Sequence, residues 1–361
     1  VSAPPPGVPD VLGLPRGELA ALLAPAIDRP YRVEQLYRAL YEQGATSFDE
    51  VTVLSRQLRA GLAQRFRIGL PEVASRHVSA DGTTKYLFRL VDGATVEAVD
   101  IPDGARRTFC ISSQAGCAMA CRFCVTGFWG AGRDLTAGEI VGQVLAIAGR
   151  LHAQQSLNLV FMGMGEPLLN VDNVERAIAV LAEWISLRRI TVSTVGVVPG
   201  IRRLAAWERR PNLAVSLHAP DDARRSELMP VNRSYPLAEL MAALRDFPLE
   251  PNRRLTFEYI LIAGTNDAPA DADALARLLA DSALKDRAKV NLIPVNPDPV
   301  LGERMVPPAP EVVTAFRDRL RERGLVATVR RRRGDDVAAA CGQLRAFGRD
   351  PRGFRRSNLS W

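Results

Sequence analysis

The sequence predicts an α/β fold, with parallel βα units wound as a barrel or an open sheet behind a small amino-terminal helical domain. Three observations point there. Up to about residue 70 apolar residues recur at helical spacing, and from Val73 the period shortens. From residue 157 strand-length apolar runs alternate with amphipathic helical patterns. Such alternation favours a parallel sheet covered by helices, because each crossover must carry the chain back to the starting edge.

Residues 1–11, VSAPPPGVPDV, are Pro-rich and are expected to form a disordered tail. The helical domain is assigned to 12–72, with helices at 15–23, 31–43 and 53–66. The second places Val33, Leu36, Tyr37, Leu40 and Tyr41 on one face and stops at Gly44. Tyr37 and Tyr41 therefore read as core residues. The larger unit is assigned to 73–345. It opens with strands at 85–91, 95–101 and 106–112, among the turn dipeptides Asp81-Gly82 and Asp92-Gly93. Strands follow at 157–162, 190–195, 212–217, 255–262, 288–293 and near 325–330. The intervening helices fall at 136–151, 171–184, 221–228, 236–246, 269–280 and 310–323. A basic tail is assigned to 346–361.

The 361 residues carry a formal charge of +7. That excess favours an anionic partner, RNA first among them. No basic and apolar leader stands near the start, and no run of about 18 apolar residues occurs, so a membrane span is not expected. Closely packed cysteines suit a reducing cytoplasm better than an export-linked disulfide framework.

Three of five cysteines, Cys117, Cys121 and Cys124, form a C-x3-C-x2-C run in the loop after strand 106–112. Clustered thiolates converge on a soft metal centre. Three ligands would leave one iron of a four-iron cluster open to a substrate. A zinc site completed by His152, His218 or Cys341 is the alternative, and would make the chain an RNA-binding module without catalysis. Parallel folds place their sites at the carboxyl ends of the strands. Four more strand ends carry polar or glycine-rich motifs: Gly163–Pro167, Ser193-Thr194, Ser216-Leu217-His218 and Pro294–Pro297. Their shared register predicts an enzyme rim. Taken alone, Glu97 reads as a solvated strand carboxylate, Cys341 as a buried structural thiol, and His218 as a rim residue or a core histidine. The runs Arg330–Arg333 and Arg349–Arg356 read as phosphate contacts or solvated basic faces.

The segments CISSQAGCAMACRFCVTG, DLTAGEIVGQV, FMGMGEPLLN, ITVSTVG, LAVSLHAP, LMPVNRSYPL, NLIPVNP and RRGDDVAAACGQL resemble, in this order, the RlmN/Cfr-type adenine methyltransferases of the radical S-adenosylmethionine (SAM) superfamily. The resemblance implies a partial (β/α)6 radical SAM barrel, with a [4Fe-4S] cluster on Cys117, Cys121 and Cys124. It implies two SAM molecules per turnover, bound by Gly165, Glu166, Ser193, Ser216, Leu217, His218 and Asn296. It makes Cys341 the methyl carrier, Glu97 the proton acceptor, and Cys110 the thiol that releases product through a transient Cys110–Cys341 disulfide. A carrier suits the chemistry, since an aromatic adenine carbon is a poor nucleophile towards a sulfonium methyl group and a thiolate is a good one. The implied substrates are 23S rRNA at the peptidyl transferase centre and tRNA beside the anticodon, with an electron-donor protein such as flavodoxin as partner and a monomer as the working state. Gly116-Cys117-Ala118 and Leu135–Glu139 look closer to the carbon-2 branch than to the carbon-8 branch, which confers antibiotic resistance. Phe128-Trp129 departs from the family's more polar pair.

Overall fold

The protein is described by a computed structural model covering residues 8–151 and 156–345. One ten-stranded sheet runs through it in strict sequence order. Strands β1 (Glu72–Val78), β2 (Thr84–Arg89), β3 (Thr95–Asp103) and β4 (Arg106–Cys110) form an antiparallel meander. From β4 onward every pairing is parallel, through β5 (Leu157–Phe161), β6 (Ile190–Thr194), β7 (Asn212–Ser216), β8 (Leu255–Leu261), β9 (Ala288–Pro294) and β10 (Val326–Val329). Strands β4 to β9 are the six of the expected partial barrel. Among the described residues no ladder joins β10 to β1, so the barrel is open.

Short sequence signals set the helices. In the chain before β1 lie α1 (Arg16–Leu23), α2 (Pro30–Arg38) and α3 (Arg56–Arg65). The pattern at 31–43 is not one α-helix: after Arg38 the chain widens into a π turn over Ala39–Gln43 and stops at Gly44, which has φ +75°. Helix α4 (Val125–Phe128) ends the cysteine loop, and α5 (Ala137–Ala148) starts with a capping box in which Thr136 and Glu139 bond each other's amides. Helices α6 (Val171–Leu181), α7 (Val198–Ala205), α8 (Asp222–Leu228), α9 (Leu237–Arg245), α10 (Pro269–Asp281) and α11 (Pro310–Glu322) form the crossovers.

Tyr37 and Tyr41 are buried as expected and pack on Trp184, with ring centroids 5.8 and 5.3 Å away. Tyr37 also donates to Glu183 at 2.8 Å, fastening the helical domain to the barrel. Residues 8–11 correct the expectation of a tail disordered to residue 11. Asp10 bridges to Arg67 and accepts the amides of Leu12 and Gly69, while Val11 is fully buried. Three labelled elements lie outside the sequence reading: the one-turn α4, β1 and α7. Strand β1 is mostly exposed, so it lacks the apolar alternation that marks a half-buried strand. Helix α7 begins Val198-Pro199-Gly200, which reads as a turn; Pro is nevertheless tolerated in a first helical turn. A side chain at position 200 would come within 2.6 Å of Leu168, so glycine permits the close approach there. His152 and the basic tail at 346–361 lie outside the described residues. Among the described residues no helix is long and apolar enough to cross a membrane.

Candidate active site

Strand β4 delivers the chain into the cysteine loop, which leans on the next strand end. The amides of Ser113 and Gln114 both donate to the Met164 carbonyl, at 2.9 and 3.2 Å. Buried Gln143 on α5 grips both backbone groups of Ser112, at 2.9 and 3.0 Å. Gly165 has φ +96°, and a Cβ there would sit 2.5 Å from Gln114, so the two loops interlock only through glycine.

A cavity with about 940 Å³ of empty space, part of it open to solvent, lies at this rim. Cys117, Cys121 and Cys124 all line it, as do Gly165, Glu166, Ser193, Ser216, His218 and Cys341. Two expected cofactor residues take other places. The Leu217 side chain is buried in the core, and its carbonyl accepts from Arg225. Asn296 lies in an adjoining cleft, donating to the Cys341 carbonyl at 3.1 Å and accepting from Arg332 at 3.0 Å.

The donor set fits an iron–sulfur cluster. Burial raises the Cys117 thiol to about 12 and the Cys121 and Cys124 thiols likewise upward, and the thiols also raise one another. A cationic centre would relieve that repulsion by taking them as thiolates. Among the described residues no group of three His, Cys, Asp or Glu side chains is arranged to hold a single metal ion. The three thiols instead line one and the same cavity. Phe128 and Trp129 pack against the small apolar cluster that includes Cys121 and Met229.

The polar wall is largely satisfied from within. Glu166 accepts the amides of Leu168 and Val195 at 3.0 and 2.8 Å, and burial pushes its carboxyl up to about 7. His218 resolves the two readings of it by being both. It lines the cavity, yet its Nδ1 accepts the Ile260 amide at 3.0 Å, which places the proton on Nε2. Burial holds its pKa down near 3, and Phe123 meets it edge-on at 4.5 Å. Its backbone is left-handed, with φ +60°. Buried Arg225 donates to the carbonyls of Val195, Ser216 and Leu217, tying the ends of β6 and β7 together.

Cys110 is buried near Cys341, which lines the cavity. Burial and the nearby Cys341 sulfur raise the Cys110 thiol to about 12, and Arg330 acts against them. Arg330 lines the cavity beside Cys341, Cys110 and Glu258, with Met162 sulfur 3.8 Å from its guanidinium. The basic run is therefore no uniform solvated face: Arg332 pairs with Asp335, and Arg333 with Asp81 and Asp103. Glu97, far from solvated, is 1% exposed, with Lys85 Nζ 3.3 Å from Oε1 and the Arg345 amide 2.8 Å from Oε2. Burial raises its carboxyl, while Lys85 and Arg345 hold it down. The sequence reading missed Lys85, which heads an apolar strand pattern, and Arg225, which follows Arg224 in a helix pattern, and it took Arg330 only as part of the basic run Arg330–Arg333.

Comparison with known proteins agrees with this geometry. Residues 111–279 match the radical SAM superfamily, and residues 9–68 match the ribosomal RNA large subunit methyltransferase N-terminal domain. The dual-specificity RNA methyltransferase RlmN of Anaeromyxobacter dehalogenans is 48% identical over 95% of this chain and 94% of its own length. Its counterpart in Syntrophobacter fumaroxidans is 49% identical over 88% of this chain and 92% of its own. The crystal structure of a radical SAM methyltransferase from Sphaerobacter thermophilus superposes with a TM-score of 0.85 at 46% identity, covering 92% of this chain and 98% of that one. With its barrel, its SAM and [4Fe-4S] cofactors and its amino-terminal domain in common with these proteins, the chain belongs to the RlmN family of radical SAM RNA methyltransferases.

Proposed function

We propose that this enzyme methylates carbon 2 of an adenosine in the peptidyl transferase centre of 23S rRNA, and of an adenosine beside the tRNA anticodon, through a methylated Cys341 and a transient Cys110–Cys341 disulfide. The observation that carries the reading is the proximity of Cys110 to Cys341 at a cavity lined by the other three cysteines. The dual-specificity names of the relatives favour two RNA classes over one.

Cys117, Cys121 and Cys124 hold the cluster, and Glu166, Ser193, Ser216 and His218 line the SAM pocket. When bound, these cofactors supply methyl groups and radical hydrogen abstraction. Cys341 carries the one-carbon unit and joins it to the adenine ring. Glu97 then accepts the proton from the ring carbon, and the adduct gives up its one unpaired electron by the route through which the initiating electron entered, which leaves it closed-shell. The Cys110 thiolate attacks the Cys341 sulfur, and the sulfur–carbon bond breaks. Its electron pair goes to the carbon, which takes up a proton and becomes the product methyl group. An electron-donor protein or dithiol returns two electrons to the disulfide. The enzyme works as a cytoplasmic monomer in this reading.

The test is nucleoside mass spectrometry on ribosomal RNA and tRNA that lack the modification, after anaerobic incubation with reconstituted protein, SAM and a reductant. 2-Methyladenosine from both RNAs is expected. 8-Methyladenosine would move the chain to the carbon-8 branch, and methylation of one RNA alone would remove the dual specificity.

A further inference from the structure

We propose that Lys85 is a positioning residue of this reaction, tying the proton acceptor Glu97 to the loop that carries Cys341. The inference rests on the roles given above to Glu97 and Cys341. Sheet register brings the residues together. Lys85 on β2 and Cys110 on β4 both lie directly opposite Val99 on β3, so all three share one face of the sheet. Glu97 stands two residues before Val99 and therefore on that same face.

The carrier loop lies against this face and is held at both ends by the pair. Lys85 Nζ donates to the Ala338 carbonyl at 3.3 Å, three residues before Cys341. Glu97 Oε2 accepts the Arg345 amide at 2.8 Å, four residues after it. Between these two anchors Lys85 Nζ and Glu97 Oε1 form an ion pair at 3.3 Å, without hydrogen-bond alignment. Ala338 needs the support, since it has φ +48°, a conformation that residues other than glycine seldom adopt.

A lysine with 7% of its side chain exposed is costly to bury unless its charge is used. The charged and sulfur groups facing Glu97 are Lys85 from β2, Arg345 from the segment after the carrier, and Met164, whose sulfur accepts the Glu97 amide at 3.4 Å. Lys85 and Arg345 favour the carboxylate, and burial opposes it. Losing Lys85 therefore makes Glu97 a group that deprotonates only at higher pH. Loss of Lys85 also frees the Ala338 end of the loop.

The experiment compares the reconstituted wild-type enzyme with Lys85→Met, Lys85→Arg and Glu97→Gln on unmodified ribosomal RNA. The pH profile of product release and the covalent protein–RNA adduct on denaturing gels are read together. Lys85→Met is expected to move the acid limb of the profile upward by about 1 to 3 pH units, the span a single close charge commonly controls. Adduct should accumulate, and Lys85→Arg should restore much of the wild-type profile. Hydrogen exchange on the enzyme without substrate gives a second readout: in Lys85→Met, exchange should rise across residues 338–345 and stay unchanged in the strands β5 to β8. An unshifted profile with wild-type adduct and exchange, beside a Glu97→Gln enzyme that accumulates adduct, overturns the proposal alone. A Glu97→Gln enzyme that turns over normally overturns the role of Glu97 and the proposal with it.

Discussion

The Val125 amide donates to the Gly342 carbonyl at 2.6 Å, so the residue after Cys341, the proposed methyl carrier, is bonded directly to the helix that follows the proposed cluster ligands. This contact ties the segment of Cys341 to the end of the cavity that Cys117, Cys121 and Cys124 line. Gly342 has φ +82°, and a Cβ there would lie 2.8 Å from the Phe123 carbonyl. Gly342→Ala should destabilise the protein by more than about 1 kcal/mol in denaturant titrations, because Ala pays a steric penalty at positive φ. It should also slow RNA methylation by pushing the carrier away, while iron and sulfide content stay at wild-type levels.

The two cysteines outside the cluster should fail differently. Cys341→Ala is expected to retain the cluster and cleave SAM but produce no methylated RNA. Cys110→Ala should methylate Cys341, join it to RNA and stop there, giving a shifted band on a denaturing gel. Normal methylation by Cys341→Ala would sink the carrier mechanism.

Arg330 bears on the reactivity of Cys110. Its positive charge opposes the burial that raises the Cys110 thiol to about 12. Arg330→Met removes that opposition, so the thiolate fraction at any given pH must fall. Alkylation of Cys110 across a pH series, read by mass spectrometry, should show its midpoint displaced upward. A midpoint that does not move would show that Arg330 acts only on packing.

His218 makes folding pH-dependent. Its pKa falls from 6.5 in an unperturbed imidazole to about 3 in the fold. Between those values the unfolded chain binds a proton that the folded chain refuses, so stability declines as pH drops below 6.5. At pH 5 this amounts to about 2 kcal/mol, from roughly 1.4 kcal/mol per unit. Glu166 works the other way, since its carboxyl is raised to about 7 and stays protonated in the fold. The difference between wild type and His218→Asn isolates the imidazole: the wild type should lose about 2 kcal/mol more than the variant between about pH 7 and about pH 5. Asn is the replacement of choice because it tolerates the left-handed backbone at 218.

The cysteine loop and most rim motifs were legible because each lies in a short sequence window at the end of an apolar strand. Cys117, Cys121 and Cys124 share one loop, and Gly165-Glu166 and Ser193 follow β5 and end β6. What was not legible depends on pairs distant in sequence. Lys85 lies within KYLFRLV, where a lysine reads as solvated; its partners Glu97 and Ala338 are placed by sheet register and by the return of the chain from β10. Arg225 on α8 looks like any exposed helical arginine, yet it is fully buried by carbonyls from β6 and β7. Strand β1 left no trace because it buries little, and α7 because Pro199-Gly200 mimics a turn.

The gap between β10 and β1 is spanned by the stretch from Arg333 to Arg345, which is fastened largely by individual side chains. Asp81 accepts the Gly334 amide, Asp336 accepts the Ala80 amide, Lys85 holds Ala338, and Asn296 holds Cys341. A β ladder at that seam would have to unzip as a unit before anything could pass. Separate latches can open one by one while the ten strands keep their register. The stretch that bears Cys341 is thus the part of the rim whose release would leave the sheet whole, on the side where the barrel is open.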